Sequence, residues 1–169
     1  MLIGLPRSGK STKAKAWLNY ECNIRDGECI WGEGRLREPR PRVIVNADQI
    51  RLTLHGKRFW VEKEVEVWQL ENFMLRYFFN AGYDVLADET HTSNASIMGV
   101  LRVDLHADYC LVDTPIEECK RRALACGHDD LVTRDVIDRM EAQWSAWKHD
   151  PKTHIDKLRL EVRKENERR

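Results

Sequence analysis

At 169 residues the chain is long enough for one domain with a proper core, or one domain with a tail. Its 28 basic and 28 acidic side chains cancel, so no global basic field marks a polyanion binder, and any such site must be local. Five cysteines without a framework spacing argue against a disulfide scaffold. With neither a signal peptide nor an apolar run of membrane length, the expectation is a soluble cytoplasmic protein with free thiols.

Met1-Leu2-Ile3 predicts a short buried first strand. Gly4-Leu5-Pro6-Arg7-Ser8-Gly9-Lys10-Ser11-Thr12 follows at once and fits G-x-x-x-x-G-K-[ST], the loop that wraps a nucleotide's phosphates. Gly4 and Gly9 let the backbone turn tightly, and the helix predicted over 10–19 presents its positive N-terminal end. Lys10 reaches phosphate as a point charge, and the Ser11 hydroxyl is a Mg²⁺ ligand candidate. Gly4, Pro6, Arg7, Ser8, Gly9, Lys10, Ser11 and Thr12 are therefore the nucleotide-binding candidates.

Residues 20–42 carry Gly27, Gly32, Gly34, Pro39 and Pro41 and read as an insertion without a regular helix. Its end sets Arg35, Arg37, Arg40 and Arg42 against Glu38, with Trp31 upstream. That composition suits either a phosphate-and-base surface or a solvated loop of ion pairs. Val43-Ile44-Val45 predicts the second strand, which delivers Asn46-Ala47-Asp48-Gln49-Ile50-Arg51 at its carboxyl end, where open parallel sheets hold ligands. Asp48 is either a helix cap or, beside a phosphate loop, a catalytic carboxylate. His55 to Arg58 reads as a turn.

A helix is expected over 61–81, with Val61, Val65, Trp68, Leu75 and Phe79 on its core side and Val67, Leu70, Met74 and Phe78 broadening it, ending at Gly82. Tyr83 to Asp88 is a strand ending in an acid, the Walker B pattern. Asp88 is the second Mg²⁺ candidate, and Glu89 beside it is a candidate to activate water. Further helices are predicted to Leu101, over 116–125 and from a Thr133 cap to Trp147 with Val136, Met140, Trp144 and Trp147 inward, and a strand over 109–112. Cys126 to Asp130 separates the last two helices. From Lys148 onward a charged tail carries Ile155, Leu158 and Val162 as a narrow apolar stripe, with the last six residues frayed.

The alternation predicts an α/β fold with helices on both faces of a parallel sheet, as one domain over 1–147 followed by a helix or tail at 148–169. Gly4 to Thr12, Asn-x-Asp-x-x-Arg at 46–51, the Asp-x-Thr-like start at Asp88 and Lys-Arg-Arg at 120–122 together resemble the phosphate-loop kinase domain of the bacteriophage polynucleotide kinase family, which borders the zeta-toxin kinases. The resemblance implies a P-loop kinase fold with ATP as donor and Mg²⁺ as cofactor. It implies Asp48 as general base, Arg51 as an acceptor-phosphate contact and Arg121 or Arg122 as the lid arginine over the donor phosphates. For a nucleic-acid acceptor, Arg35, Arg37, Arg40 and Arg42 are candidates to extend the positive track from Arg51 along the strand.

Ala125-Cys126 stand where the family often has a second lid arginine, and the insertion at 20–42 exceeds its usual connection. No phosphatase domain follows, so no 3′-phosphatase activity is expected. The leading expectation is γ-phosphoryl transfer to the 5′-hydroxyl end of DNA or RNA. The alternatives are another alcohol (a hydroxymethylated pyrimidine in DNA, or a small metabolite) and an ATPase using Glu89.

Overall fold

Period-two alternation along four short parallel strands divides the apolar residues between two faces of a sheet. The computed structural model describes residues 1–25, 27–31, 40–56, 59–126 and 132–168. Strand β1 (Leu2–Ile3) leads through the phosphate loop into helix α1 (Lys10–Leu18). A hairpin, β2 (Cys22–Arg25) and β3 (Glu28–Trp31), precedes β4 (Arg42–Val45) and α2 (Ala47–His55). A 3₁₀ turn at Val61–Lys63 opens α3 (Glu64–Asn80), followed by β5 (Asp84–Ala87), α4 (Asn94–Leu101) and β6 (Cys110–Leu111). Helices α5 (Ile116–Ala125), α6 (Arg134–Ser145) and α7 (Pro151–Glu167) complete the chain.

β4 pairs with β5 and β1 with β6, all parallel, and a bridge between Leu2 and Asp88 joins the pairs in the order β4-β5-β1-β6. One face sets Leu2, Ile44, Leu86 and Cys110 against Ala14 and Trp17 of α1. The other sets Ile3, Val45, Ala87 and Tyr109 against Ile50, Val67, Leu75, Ile97 and Ile137 from the remaining helices. Burial of these side chains, at roughly 1.5–3 kcal/mol each, holds the layers together. Because the strands are parallel, the carboxyl ends of β1, β4 and β5 lie along the same edge of the sheet.

Three local differences from the sequence expectation have physical causes. The insertion contains a regular element, because Arg25 pairs with Glu28 to close a two-residue hairpin whose Gly27 has φ 92°. Asp-Gly is the dipeptide such tight turns favour. Gly27 bridges Cys110, and its backbone N–H donates to Tyr109 O at 3.1 Å, so the hairpin tip extends the sheet at β6.

On α3 the core stripe is Val67, Leu70, Glu71, Met74, Leu75 and Phe78, while Val61, Val65, Trp68 and Phe79 are exposed. Both stripes are apolar at helical spacing, and the one chosen includes a carboxyl. On α6, Ile137 is fully buried and Val136 only partly.

The third difference is at the C-terminus, where α7 continues to Glu167. Ile155, Leu158 and Val162 are buried, and Arg102 at the end of α4 pairs with Glu165 at 3.0 Å. These contacts hold the last turns that solvent would otherwise fray. None of the five cysteines is in a disulfide, and no helix among the described residues is long and apolar enough to cross a membrane.

Candidate active site

The loop between β1 and α1 contains two left-handed residues, Arg7 (φ 65°) and Gly9 (φ 100°), and Gly9 caps α1. Such turns aim successive backbone N–H groups to one side, and the α1 N-terminus adds its partial positive charge. A Cβ at Gly4 would stand 2.6 Å from Val112 O, so only glycine lets the loop pass the end of β6 this closely. Thr114 Oγ1 donates to Ser8 O at 2.8 Å and pins the loop from its far side.

Lys10 is buried and its ammonium donates to Gly4 O (3.0 Å) and Leu5 O (2.7 Å). Burial lowers its pKa to about 8, against the opposing pull of Asp88. Ser8 Oγ is buried with no hydrogen-bond partner among the described residues. A desolvated amine, an orphan hydroxyl and a cradle of backbone N–H groups fit a polyphosphate. Pro6 is buried in the turn, and Thr12 is exposed one position beyond Ser11 on α1.

Ser11 Oγ donates to Asp88 Oδ2 at 3.1 Å, joining α1 to the residue just past β5. This hard-oxygen pair is of the kind that holds Mg²⁺ together with nucleotide phosphates. Burial raises the Asp88 pKa, opposed by the Ser11 hydrogen bond and the Lys10 charge. Asn46 Nδ2 donates to Asp88 O (2.9 Å) and Oδ2 (3.2 Å), while its Oδ1 accepts from Gln49 N at 2.9 Å. Asn46 is therefore the cap of α2, which leaves Asp48 in the first helical turn without that duty.

Asp48 is 72% exposed, and its charge acts on both Lys10 and Asp88. Arg51 Nη1 donates to Asp48 Oδ1 at 2.7 Å. The same guanidinium makes a two-pronged bond to Glu64 on α3, Nε to Oε1 at 2.8 Å and Nη2 to Oε2 at 2.7 Å. It also lies 5.3 Å from the centre of the Trp68 ring. Burial opposes the charge on Arg51, but the bonds to Glu64 and Asp48 outweigh it and raise the pKa.

The two lid candidates on α5 diverge. Arg122 Nη1 donates to Arg7 O at 3.1 Å and stands 3.9 Å from where a Cβ on Gly9 would lie. Arg121 is 68% exposed and turns to Glu118. Glu118 also accepts from Arg122 Nε at 2.7 Å, and the hydrogen bonds from both arginines hold its pKa near 2.

Of the insertion's arginines named above, the two that are described, Arg40 and Arg42, are not brought to Asp48. Arg42 begins β4, whose far end leads to Asp48, and it donates to Trp17 O, Cys22 O and Asn23 Oδ1 between the Trp17 and Tyr20 rings. Arg40 is exposed beside it and accepts from Tyr20 Oη through its carbonyl at 2.8 Å. Arg35 and Arg37 lie outside the described residues, as does most of the 126–130 break.

Glu89 faces the buried Glu71 of α3. Burial first, then the Glu71 carboxylate, pushes the Glu89 pKa far above the carboxylate range, so the pair retains a proton at neutral pH. Asn46 was legible only as part of its motif, and Glu64 carried no sequence signal, since its partner lies in another helix. Glu118 was open to inference from its i, i+4 spacing to Arg122.

Against known proteins, a chain of the Pnkp1/Rnl/Hen1 RNA repair complex superposes with a TM-score of 0.66 at 21% identity, covering 88% of this chain and 44% of that one. A chain of another Pnkp1/Rnl/Hen1 complex gives 0.55 at 21% identity, over 78% and 39%. The chain thus spans less than half the length of these relatives, and the likeness is one of fold, the P-loop kinase-like α/β fold. No curated protein matches the sequence. A family model described as an AAA domain matches residues 1–146, and the chain belongs to that family.

Proposed function

We propose that the protein is an ATP-dependent kinase that moves the γ-phosphoryl group to a hydroxyl, with the 5′-hydroxyl end of DNA or RNA as acceptor. The observation that carries this reading is the meeting of two chemistries at one end of the sheet. The Lys10, Ser11 and Asp88 phosphate side lies within electrostatic reach of an exposed carboxylate, Asp48, that is held by an arginine and free of capping duty. The fold likeness to chains of an RNA repair complex favours a nucleic-acid acceptor over a small alcohol.

In this reading the phosphate loop binds the triphosphate and Lys10 turns from Gly4 O and Leu5 O to the phosphates. Ser11 and Asp88 would hold Mg²⁺, which would supply charge neutralisation on the phosphates. Arg122 covers the transferred group from α5. Asp48 takes the acceptor's hydroxyl proton as its oxygen bonds to the γ-phosphorus and the bond to ADP breaks. Positioning and charge do most of the work, with about 10²–10⁴ in rate from the base. Arg51 has donors left beyond those given to Glu64 and Asp48, enough to meet an acceptor phosphate.

Hydrolysis by Glu89 is the weaker reading. A carboxyl that keeps its proton beside Glu71 is a poor base for water. ADP release measured with and without a 5′-hydroxyl oligonucleotide separates the two. A kinase releases ADP slowly alone and quickly with acceptor; equal rates in both would leave an ATPase.

A further inference from the structure

We propose that Glu64 is a positioning residue for phosphoryl transfer, fixing the plane of Arg51, which in turn fixes the carboxylate of Asp48. The inference rests on the reading of Asp48 as the proton acceptor.

A lone ion pair between Asp48 and Arg51, three residues apart on α2, would leave both side chains a choice of rotamers. Glu64 removes that choice. A guanidinium is rigid and planar, so two parallel bonds along its Nε–Nη2 edge determine where Nη1 points. Those bonds are present at 2.8 and 2.7 Å, and Nη1 then meets Asp48 Oδ1 at 2.7 Å. Trp68, one turn after Glu64 on α3, covers a face of the guanidinium.

The burial gradient runs the same way. The Arg51 and Glu64 side chains are only 12% and 14% exposed, whereas Asp48 is 72% exposed. Order is therefore passed from the packed end of the chain to the exposed carboxylate that must meet the acceptor. Glu64 belongs to a different helix, so the orientation of Asp48 depends on how α2 and α3 pack.

Glu64→Gln keeps the shape but removes the charge and one acceptor. With ATP and a 5′-hydroxyl oligonucleotide, it should lower kcat by about 10²-fold, the scale of a misplaced catalytic group, with the KM for ATP unchanged. Arg51→Lys keeps the charge without the planar fork and should lose a similar factor. The decisive readout is the double variant. If Glu64 acts through Arg51, adding Glu64→Gln to Arg51→Lys costs nothing further, whereas a merely structural role would multiply the two losses.

Wild-type kcat in Glu64→Gln, or multiplied losses in the double variant, would overturn the proposal. Should Glu64→Gln fail to fold, Glu64→Asp takes its place in the same cycle, since it shortens the reach to Arg51; wild-type kcat in it, or losses that multiply with Arg51→Lys, would overturn the proposal. Asp48→Asn keeps the two claims apart. Full activity in it removes the reading of Asp48, while an inactive Asp48→Asn beside a fully active Glu64→Gln removes only the role of Glu64.

Discussion

Replacing Lys10 with methionine should separate the stability of the protein from its affinity for ATP. Burial lowers the Lys10 pKa from 10.5 to about 8, so the folded protein holds this proton less tightly than the unfolded chain. A lowering of that size corresponds to about 3 kcal/mol of stability missing at neutral pH. Methionine removes this penalty but leaves Gly4 O without its ammonium donor, at a cost of about 1–3 kcal/mol, while Leu5 O keeps the Ser8 N–H at 3.2 Å. The variant should therefore melt no lower than wild type at pH 7, and higher by up to about 2 kcal/mol in stability.

The sign of the pH effect follows from the same shift. Between about pH 8 and 10.5 the unfolded chain binds more protons at this site, so wild type gains stability relative to Lys10→Met as pH rises through that window. Thermal melts across that range, with and without ATP and Mg²⁺, read both effects. Ligand stabilisation should be large in wild type and nearly lost in the variant, with turnover down by about 10²–10³. A variant that melts several kcal/mol lower while keeping its ATP-induced shift would make Lys10 a structural lysine with no part in holding phosphate.

Asp48→Asn should lower turnover by about 10²–10⁴ and leave ATP binding and melting temperature intact, as calorimetry and steady-state kinetics would register. A collapse of ATP affinity would instead assign Asp48 to the metal or the fold. Arg122→Ala should cost about 10²–10³ in kcat, whereas Arg121→Ala should change it little; equal losses would contradict the geometry of α5. Arg42→Ala should lower stability by about 1–3 kcal/mol, since it strips donors from Trp17 O and Cys22 O, without changing the acceptor KM. A raised acceptor KM would return Arg42 to the acceptor site.

How much of this was legible in the sequence depended on how local each determinant is. The phosphate loop is one short run whose residue types follow from backbone geometry, so Gly4 to Ser11 could be read directly. Asp48 and Arg51 were visible as an i, i+3 pair after a strand. Glu64 was not, because its bond to Arg51 crosses thirteen residues and two helices.

The choice between Arg121 and Arg122 required the rotation of α5, since neighbours on a helix point about 100° apart. The hairpin did carry a signal in the sequence, an Asp-Gly dipeptide at 26–27 between two apolar-containing runs. It was masked by the other glycines and prolines of the insertion. On α3 two apolar stripes competed, and nothing local says that the one containing Glu71 faces the sheet.

Phosphoryl transfer to a hydroxyl can be followed through the phosphoryl group itself. ATP labelled in its γ-phosphate is incubated with the protein, Mg²⁺ and single-stranded DNA and RNA ending in a 5′-hydroxyl, and the label is then located. Label should appear on the oligonucleotide's 5′ end in wild type, not at all with a 5′-phosphorylated acceptor, and about 10²–10⁴ more slowly with Asp48→Asn. Label recovered only as inorganic phosphate, at the same rate with and without acceptor, would contradict it.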